Sequence, residues 1–350
     1  MKLKHLIFTL LLIVATGFSS VAQSVVDYTQ LNQLKVYTLN EYLNSPELVK
    51  VLDLSGNDLT AVPDDVQLCT NLIAIYLQGN SLVTLPAFLT SMPNLQYIFA
   101  DDNSLSKLPQ GLSKIPNLKV LSLNNNNFKL IPSEVLKCNK LEALYFSGNN
   151  VSSLPPLSGK LPSILELDLS FNNLSDVSEI GNLTSLQVLM LSNNKSLGLV
   201  PPSFKNIKNI EVLYLDDCPV RKIDNTVLSL KSLKRLSMAH CGLKSIPTTI
   251  SQLSGLTHLL LNNNEIVEIP PALYNLSALQ YLSLNTNNIR SVSQSLTKLT
   301  SLIDLDFSKN PEIKWFPETL PQLKSLKSIG LSGTNLRMLN FEIMSTKIIY

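Results

Sequence analysis

The stretch Val51-Leu52-Asp53-Leu54-Ser55-Gly56-Asn57-Asp58-Leu59 decides the reading of this chain, because it returns. Ala74 to Leu82 reads AIYLQGNSL, and Asn80 follows Asn57 by 23 residues. The series continues at Asn103, Asn126, Asn149, Asn172 and Asn194, passes to Cys218 and Cys241, and resumes at Asn264, Asn287, Asn310 and Thr334. Steps are 23 residues, except for 22, 24 and 24 at Asn194, Cys218 and Thr334. Thirteen units thus occupy residues 49–340 of a 350-residue chain. A unit this short cannot bury its own apolar side chains, so neighbours must stack and share one continuous core.

Inside each unit the apolar residues alternate before the Asn, as at Leu121 and Leu123 ahead of Asn126. Alternation places them on one face of a strand and turns the residues between them outward. The Asn (or Cys) column is expected inside the stack. A buried amide offers two donors and an acceptor, enough to satisfy turn backbone of its own and adjacent units. Six residues after most of these positions stands a Pro: Pro63, Pro86, Pro109, Pro132, Pro155, Pro247 and Pro270. Proline fixes φ where the chain leaves the strand and blocks further pairing. At the equivalent place Ser178, Asp224, Ser293 and Asn340 stand instead.

The pattern L-x-x-L-x-L-x-x-N/C-x-L resembles that of the leucine-rich repeat family. Leu118, Leu121, Leu123, Asn126 and Phe128 fill it in one unit, and Leu256, Leu259, Leu261, Asn264 and Ile266 in another. The L-x-x-L-P ending is similar to the bacterial and Ras-scaffold-like subgroups. The resemblance implies an α/β solenoid: a curved arc of about 13 repeats, a parallel β-sheet on its concave face, and irregular, 3-10 or short helical segments on its convex side. A solenoid grows in one dimension, which reconciles 350 residues with a single architecture rather than two globular cores.

Composition agrees. Hydrophobic residues make up 45% and charged residues 15%, which excludes intrinsic disorder. The net charge of +2 gives no electrostatic footprint for nucleic acid. Met1 to His5 is a short basic head, Leu6 to Val14 is apolar except for Thr9, and Ser20-Val21-Ala22 precedes Gln23 with a small-x-small pattern. Residues 1–22 are therefore predicted to be a secretory signal peptide. Loss of Lys2 and Lys4 with it leaves equal numbers of acids and bases in the remainder. No later apolar run approaches the length of a membrane span. Residues 23–48 are predicted as an N-terminal helical cap, with Thr38-Leu39-Asn40-Glu41 as a capping box and Leu39, Tyr42 and Leu43 on one face. Residues 341–350 are predicted as a small C-terminal cap.

Enzyme signatures are missing. His240 and His258 are the only histidines after the leader, and neither sits in H-E-x-x-H or G-x-S-x-G; no P-loop or G-x-G-x-x-G occurs. No cofactor or metal is expected. Cys69 and Cys138 hold equivalent places three units apart, too far for a disulfide. Cys218 and Cys241 are one strand spacing apart, so a bridge between them stays open.

In this family the outward strand positions form the concave wall, where ligands commonly bind. These lie 6, 4, 2 and 1 residues before the Asn column. Over all thirteen units they hold nine acids (Asp53, Asp101, Asp102, Glu166, Asp168, Asp216, Asp217, Asp304 and Asp306) against Arg235 and Lys309. An acidic wall attracts a cationic partner. Exposed aromatics are binding anchors, and two clusters stand out. The first comprises Tyr76, Tyr97, Phe99, Asp101, Asp102 and Tyr145, with Asp168 beyond; the second comprises Tyr214, Asp216, Asp217 and His240. The sequence thus predicts an exported, non-catalytic recognition protein binding a protein partner with a basic surface. Glycan or cell-wall binding on the same face is the alternative, as is an intracellular signalling scaffold should the leader be misread.

Overall fold

The computed structural model describes residues 24–336 and 347–349. The signal peptide predicted for 1–22 lies outside the described residues, as does most of the predicted C-terminal cap. The chain divides into two compact units, Met1–Asn172 with Ser185–Val188, and Asn173–Thr184 with Leu189–Tyr350.

In the first unit the strands follow chain order: β1 (Val36–Thr38), β2 (Val51–Asp53), β3 (Ala74–Tyr76), β4 (Tyr97–Phe99), β5 (Val120–Ser122), β6 (Ala143–Tyr145) and β7 (Glu166–Asp168). Each pairs in parallel with the next, and from β2 onward the partners are one repeat apart, as Val51↔Ala74, Leu52↔Ile75 and Asp53↔Tyr76. Each strand is only three residues long, and from β2 onward the middle one, such as Leu52, Ile75, Ile98 or Leu121, is buried. Burying a Leu or Ile side chain contributes about 1.5–3 kcal/mol, so the ladder is held from its inner face. β8 (Val188–Met190) falls at the division between the units.

The second unit repeats the arrangement with β9 (Val212–Tyr214), β10 (Arg235–Ser237), β11 (His258–Leu260), β12 (Tyr281–Ser283), β13 (Asp304–Asp306), β14 (Ser328–Gly330) and β15 (Lys347–Ile349), all parallel in sequence order. β2 to β14 are the thirteen strands expected from the repeat. β1 and β15 extend the series at either end. The fold is the leucine-rich-repeat solenoid.

The Asn column performs the role its amide allows. Asn80 Oδ1 accepts from the N–H of Asn57 at 3.1 Å and of Leu59 at 2.9 Å, while Nδ2 donates to Leu54 O and Leu77 O, both at 2.9 Å. Asn264 does the same in the second unit, toward Cys241 N, Leu243 N, Met238 O and Leu261 O. Where Cys replaces Asn only the donor survives: Cys218 Sγ donates to Leu191 O at 3.2 Å and Cys241 Sγ to Leu215 O at 3.1 Å. Both thiols are free, and burial pushes that of Cys218 up to about 12.

The segments opposite the strands are 3-10 turns opened by the prolines. Pro63 and Pro270 have φ −57° and −67°, and their carbonyls accept from Val66 N at 3.1 Å and Leu273 N at 3.0 Å. Asp224, standing in the Pro column, changes this locally. Its Oδ1 accepts from Thr226 N at 2.8 Å and Val227 N at 3.2 Å, and the segment becomes an α-helical turn, α1 (Asn225–Leu228). A capping carboxylate satisfies the first free N–H groups of a helix, which proline cannot do.

At the N-terminus, where a helical cap is predicted over 23–48, the described residues form three 3-10 turns, Leu31–Gln33, Tyr42–Asn44 and Pro46–Leu48, with strand β1 between the first two. The Thr38–Glu41 pairing forms: Glu41 Oε2 accepts from Thr38 N at 3.0 Å and Thr38 Oγ1 at 2.9 Å. Tyr42 is buried but Leu43 is exposed, so the two do not share a buried face. An open ladder edge at β2 offers free backbone groups, and β1 satisfies them better than a helix could.

Candidate functional site

Short strands set the site's register. Residues 6 and 4 before the Asn column flank the buried middle residue and point away from the core. The residue 1 before the column lies in the turn, in the left-handed region: Asp102 (φ 54°), Phe171 (52°), Asp217 (57°) and His240 (55°) among others. Gly, Asn and Asp tolerate that conformation best, which accounts for much of the column's composition.

The nine wall acids are all engaged within the chain. Every one accepts a hydrogen bond from a neighbouring group. Asp101 Oδ1 accepts from Ser122 Oγ at 2.5 Å and Asn124 N at 2.7 Å. Asp216 repeats this geometry in the second unit, toward Ser237 Oγ at 2.5 Å and Ala239 N at 2.7 Å. Asp53, Asp168 and Asp306 each accept from the N–H two residues on, at Ser55, Ser170 and Ser308. Asp102 accepts from Asn125 Nδ2 at 2.8 Å, and Asp304 from Ser328 Oγ. Glu166 accepts from Tyr145 OH at 2.5 Å, and Asp217 meets His240 Nδ1 at 3.1 Å. Burial pushes Asp101 up to about 7 despite its two donors, and raises Asp216 likewise. Asp101, Asp102, Glu166, Asp216, Asp217, Asp304 and Asp306 thereby tie adjacent rungs together, while Asp53 and Asp168 close turns within their own rung.

The first cluster is assembled as the sequence placed it but is not exposed. Tyr76 and Phe99 stack at 4.8 Å with 10° between ring planes, and Tyr76 is fully buried. Tyr97, Tyr145 and Asp101 are buried too, while Asp168 is partly exposed and Asp102 exposed. A segment that sequence reasoning assigned to a cap lies against part of this cluster. Tyr28 OH bonds Tyr145 OH at 3.1 Å, and its ring centroid is 6.0 Å from that of Tyr97. Ser24 Oγ donates to Glu166 Oε1 at 2.6 Å, and the N–H groups of Val25 and Val26 donate to the same oxygen. Burial holds the Tyr28 and Tyr145 phenols above their ordinary pKa, so both stay protonated. No repeat register covers residues 24–30. The only signal there was Val25, Val26 and Tyr28 as apolar residues outside the period.

The second cluster stays open. Tyr214, Asp217, Arg235 and Tyr281 are partly exposed and His240 is exposed. His258 stacks on Tyr281 at 4.3 Å and 18°. His258 is 5% exposed; its Nδ1 bonds Thr257 Oγ1 at 2.9 Å, and its Nε2 has no partner among the described residues. Burial, with Arg235 nearby, pulls it down to about 4, so the ring is neutral at neutral pH. Arg235, His258 and Tyr281 join the cluster through column 6, which the sequence showed without singling them out. Among the described residues no three His, Cys, Asp or Glu side chains could together hold a metal ion, and no helix is long and apolar enough to cross a membrane.

Comparison with known proteins follows the same architecture. A family model described as a leucine-rich repeat region matches residues 190–343. Three further leucine-rich repeat models match residues 47–105, 117–138 and 139–182. In structure the chain is similar to a leucine-rich repeat protein of Leptospira interrogans, with TM-score 0.63 and 24% identity over 90% of this chain and 100% of that one. It is similar to an internalin of Listeria monocytogenes, with TM-score 0.73 and 22% identity over 87% of each chain. It also resembles the plant peptide hormone receptor RGFR1 in complex with RGF2, with TM-score 0.61 and 24% identity over 82% of this chain and 47% of that one. At these identities the likeness is one of fold. No curated protein matches the chain in sequence.

Proposed function

Since this chain is a leucine-rich repeat protein, we propose that it is a non-catalytic recognition protein, exported from the cytoplasm, that binds another protein on its concave wall. The fold is typical of protein–protein interaction scaffolds, and leucine-rich repeat proteins are generally non-catalytic. One similar structure, RGFR1, is in complex with RGF2.

The observation that carries the reading is the open cluster of the second unit. Strand pairing sets Arg235 beside His258 and His258 beside Tyr281, with Tyr214, Asp217 and His240 alongside. Aromatic and Arg side chains held by a rigid ladder bury large area on binding at small entropic cost. The basic head and apolar run of residues 1–22 support export.

The test is affinity capture from the native envelope, at low and high salt, comparing the natural chain with a Tyr214→Ala/His240→Ala/Tyr281→Ala variant. The variant is expected to retain at least tenfold less of a captured protein partner. Equal retention by both chains would overturn this choice of surface. N-terminal sequencing of the fractionated protein checks export: a cytosolic product beginning at Met1 would refute it.

A further inference from the structure

We propose that Glu166, Tyr145 and Tyr97 form a site for an extended peptide, filled in cis by residues 24–30 and in trans by a partner protein's segment of the same chemistry. The site takes two successive backbone N–H groups and a tyrosine two residues further on. This rests on the reading of the wall as a protein-binding surface and names what part of it recognises.

Three observations carry it. Glu166 is 2% exposed, yet its Oε1 is satisfied by Ser24, Val25 and Val26, none of which belongs to the ladder. A buried carboxylate needs such donors, so an empty site is poor and an occupied one stable. Second, two of the three donors are backbone N–H groups, which any extended peptide presents. Specificity comes from Tyr28, whose OH donates to Tyr145 OH, which in turn donates to Glu166 Oε2 at 2.5 Å. Third, among the described residues no backbone–backbone hydrogen bond joins residues 24–30 to a strand. The segment is docked on the wall and is not woven into it.

Leu31, three residues beyond Tyr28, is buried and tethers the segment. A tether this short gives the cis occupant an effective concentration on the order of millimolar. A free peptide at micromolar concentration then competes poorly, and the site opens only to a partner that outbids the tether.

Fluorescence anisotropy of a labelled peptide, Ser-Val-Val-Asp-Tyr-Thr-Gln, tests this on the full chain. The released variant Val26→Asp/Tyr28→Ala should bind the peptide at least tenfold more tightly than the natural chain. Adding Glu166→Gln to that variant should cost at least tenfold in affinity. If that combination does not fold by circular dichroism, Tyr145→Phe in the released background reads the same site and should weaken binding in the same direction. Equal binding by the natural and released chains, or no binding by either at millimolar peptide, overturns the proposal. So does a dimer of the natural chain that dissolves on Tyr28→Ala, since the segment's acceptor would then be a second copy. Partner capture run in parallel separates the two claims. Capture that persists and depends on Tyr214 and His240, without peptide binding, removes this inference alone; peptide binding without any capture removes the broader reading alone.

Discussion

Asn126→Ala removes one rung of the amide ladder, and the loss can be worked out bond by bond. Asn126 is buried; its Oδ1 accepts from Leu105 N at 2.9 Å, and its Nδ2 lies within bonding distance of three carbonyls, Ala100 O at 3.0 Å, Leu123 O at 3.1 Å and Asn124 O at 3.0 Å. The three carbonyls have a second donor each. Ala100 O also receives Asn103 Nδ2 at 3.3 Å, Leu123 O also receives Asn149 Nδ2 at 3.0 Å, and Asn124 O also receives Asp102 N at 2.9 Å. The Leu105 N–H has no second acceptor. The variant therefore leaves one buried donor orphaned, at about 1–3 kcal/mol, and takes one of two donors from three carbonyls that remain satisfied. A total of about 2–3 kcal/mol is expected. Asn126→Cys should cost nearly as much, because a thiol restores a donor, as Cys241 does toward Leu215 O, but not the acceptor that Leu105 needs. The measurement is urea unfolding by circular dichroism, with hydrogen exchange at the Leu105 amide as the local readout, since repeat arrays can unfold in parts. The reasoning fails if Asn126→Ala lies within about 0.5 kcal/mol of the natural chain, the spread of ordinary surface substitutions, or if Asn126→Cys restores protection at Leu105.

Asp101 rises from 3.8 to about 7 on folding because it is buried. It binds more protons folded than unfolded, so it makes stability fall as pH climbs across that window; Asp101→Asn should flatten the slope, and an unchanged slope refutes the assignment. His258 acts oppositely. Its pKa falls from 6.5 to about 4, so the unfolded chain takes up a proton that the folded chain refuses, and stability drops as pH falls between those values. His258→Phe keeps a ring against Tyr281, removes the unpartnered Nε2 and should abolish that dependence at little cost near pH 7; an equal dependence in the variant would contradict this. Gly181→Ala should destabilise by about 1–3 kcal/mol through overpacking. A Cβ there would lie 2.5 Å from Ser203 Cβ and 2.6 Å from Ser203 O, and an unaltered urea midpoint would show that the turn yields freely.

Much of the fold was legible because its signal is periodic and local. Successive units are 22 to 24 residues apart, and the same short-range chemistry is restated thirteen times. Asp224 was visible as a departure from the Pro column, but the capped helical turn it makes came from the structure, where its carboxylate accepts and a proline would only constrain. The clusters were legible as neighbours, because parallel pairing one repeat out of step turns a column of sequence into a row in space. Asp217 and His240 do meet, as do Tyr76 and Phe99. Exposure was not legible. A residue that points away from one core can still be covered by something outside the period, and alternation carries no information about that.

What the sequence alone determined is the ladder: its register, its buried amide column, and which side chains leave the core. Tertiary structure decided the state of the wall. Its acids are taken up by Ser, Asn, His and backbone donors one rung away or two residues on, and Tyr97, Tyr145 and Glu166 meet residues 24–30, up to 142 positions away. The physical reason is range. A repeat states its short contacts again in every unit, whereas a segment docked once on the wall leaves no periodic trace, and only the folded chain brings Ser24 to Glu166.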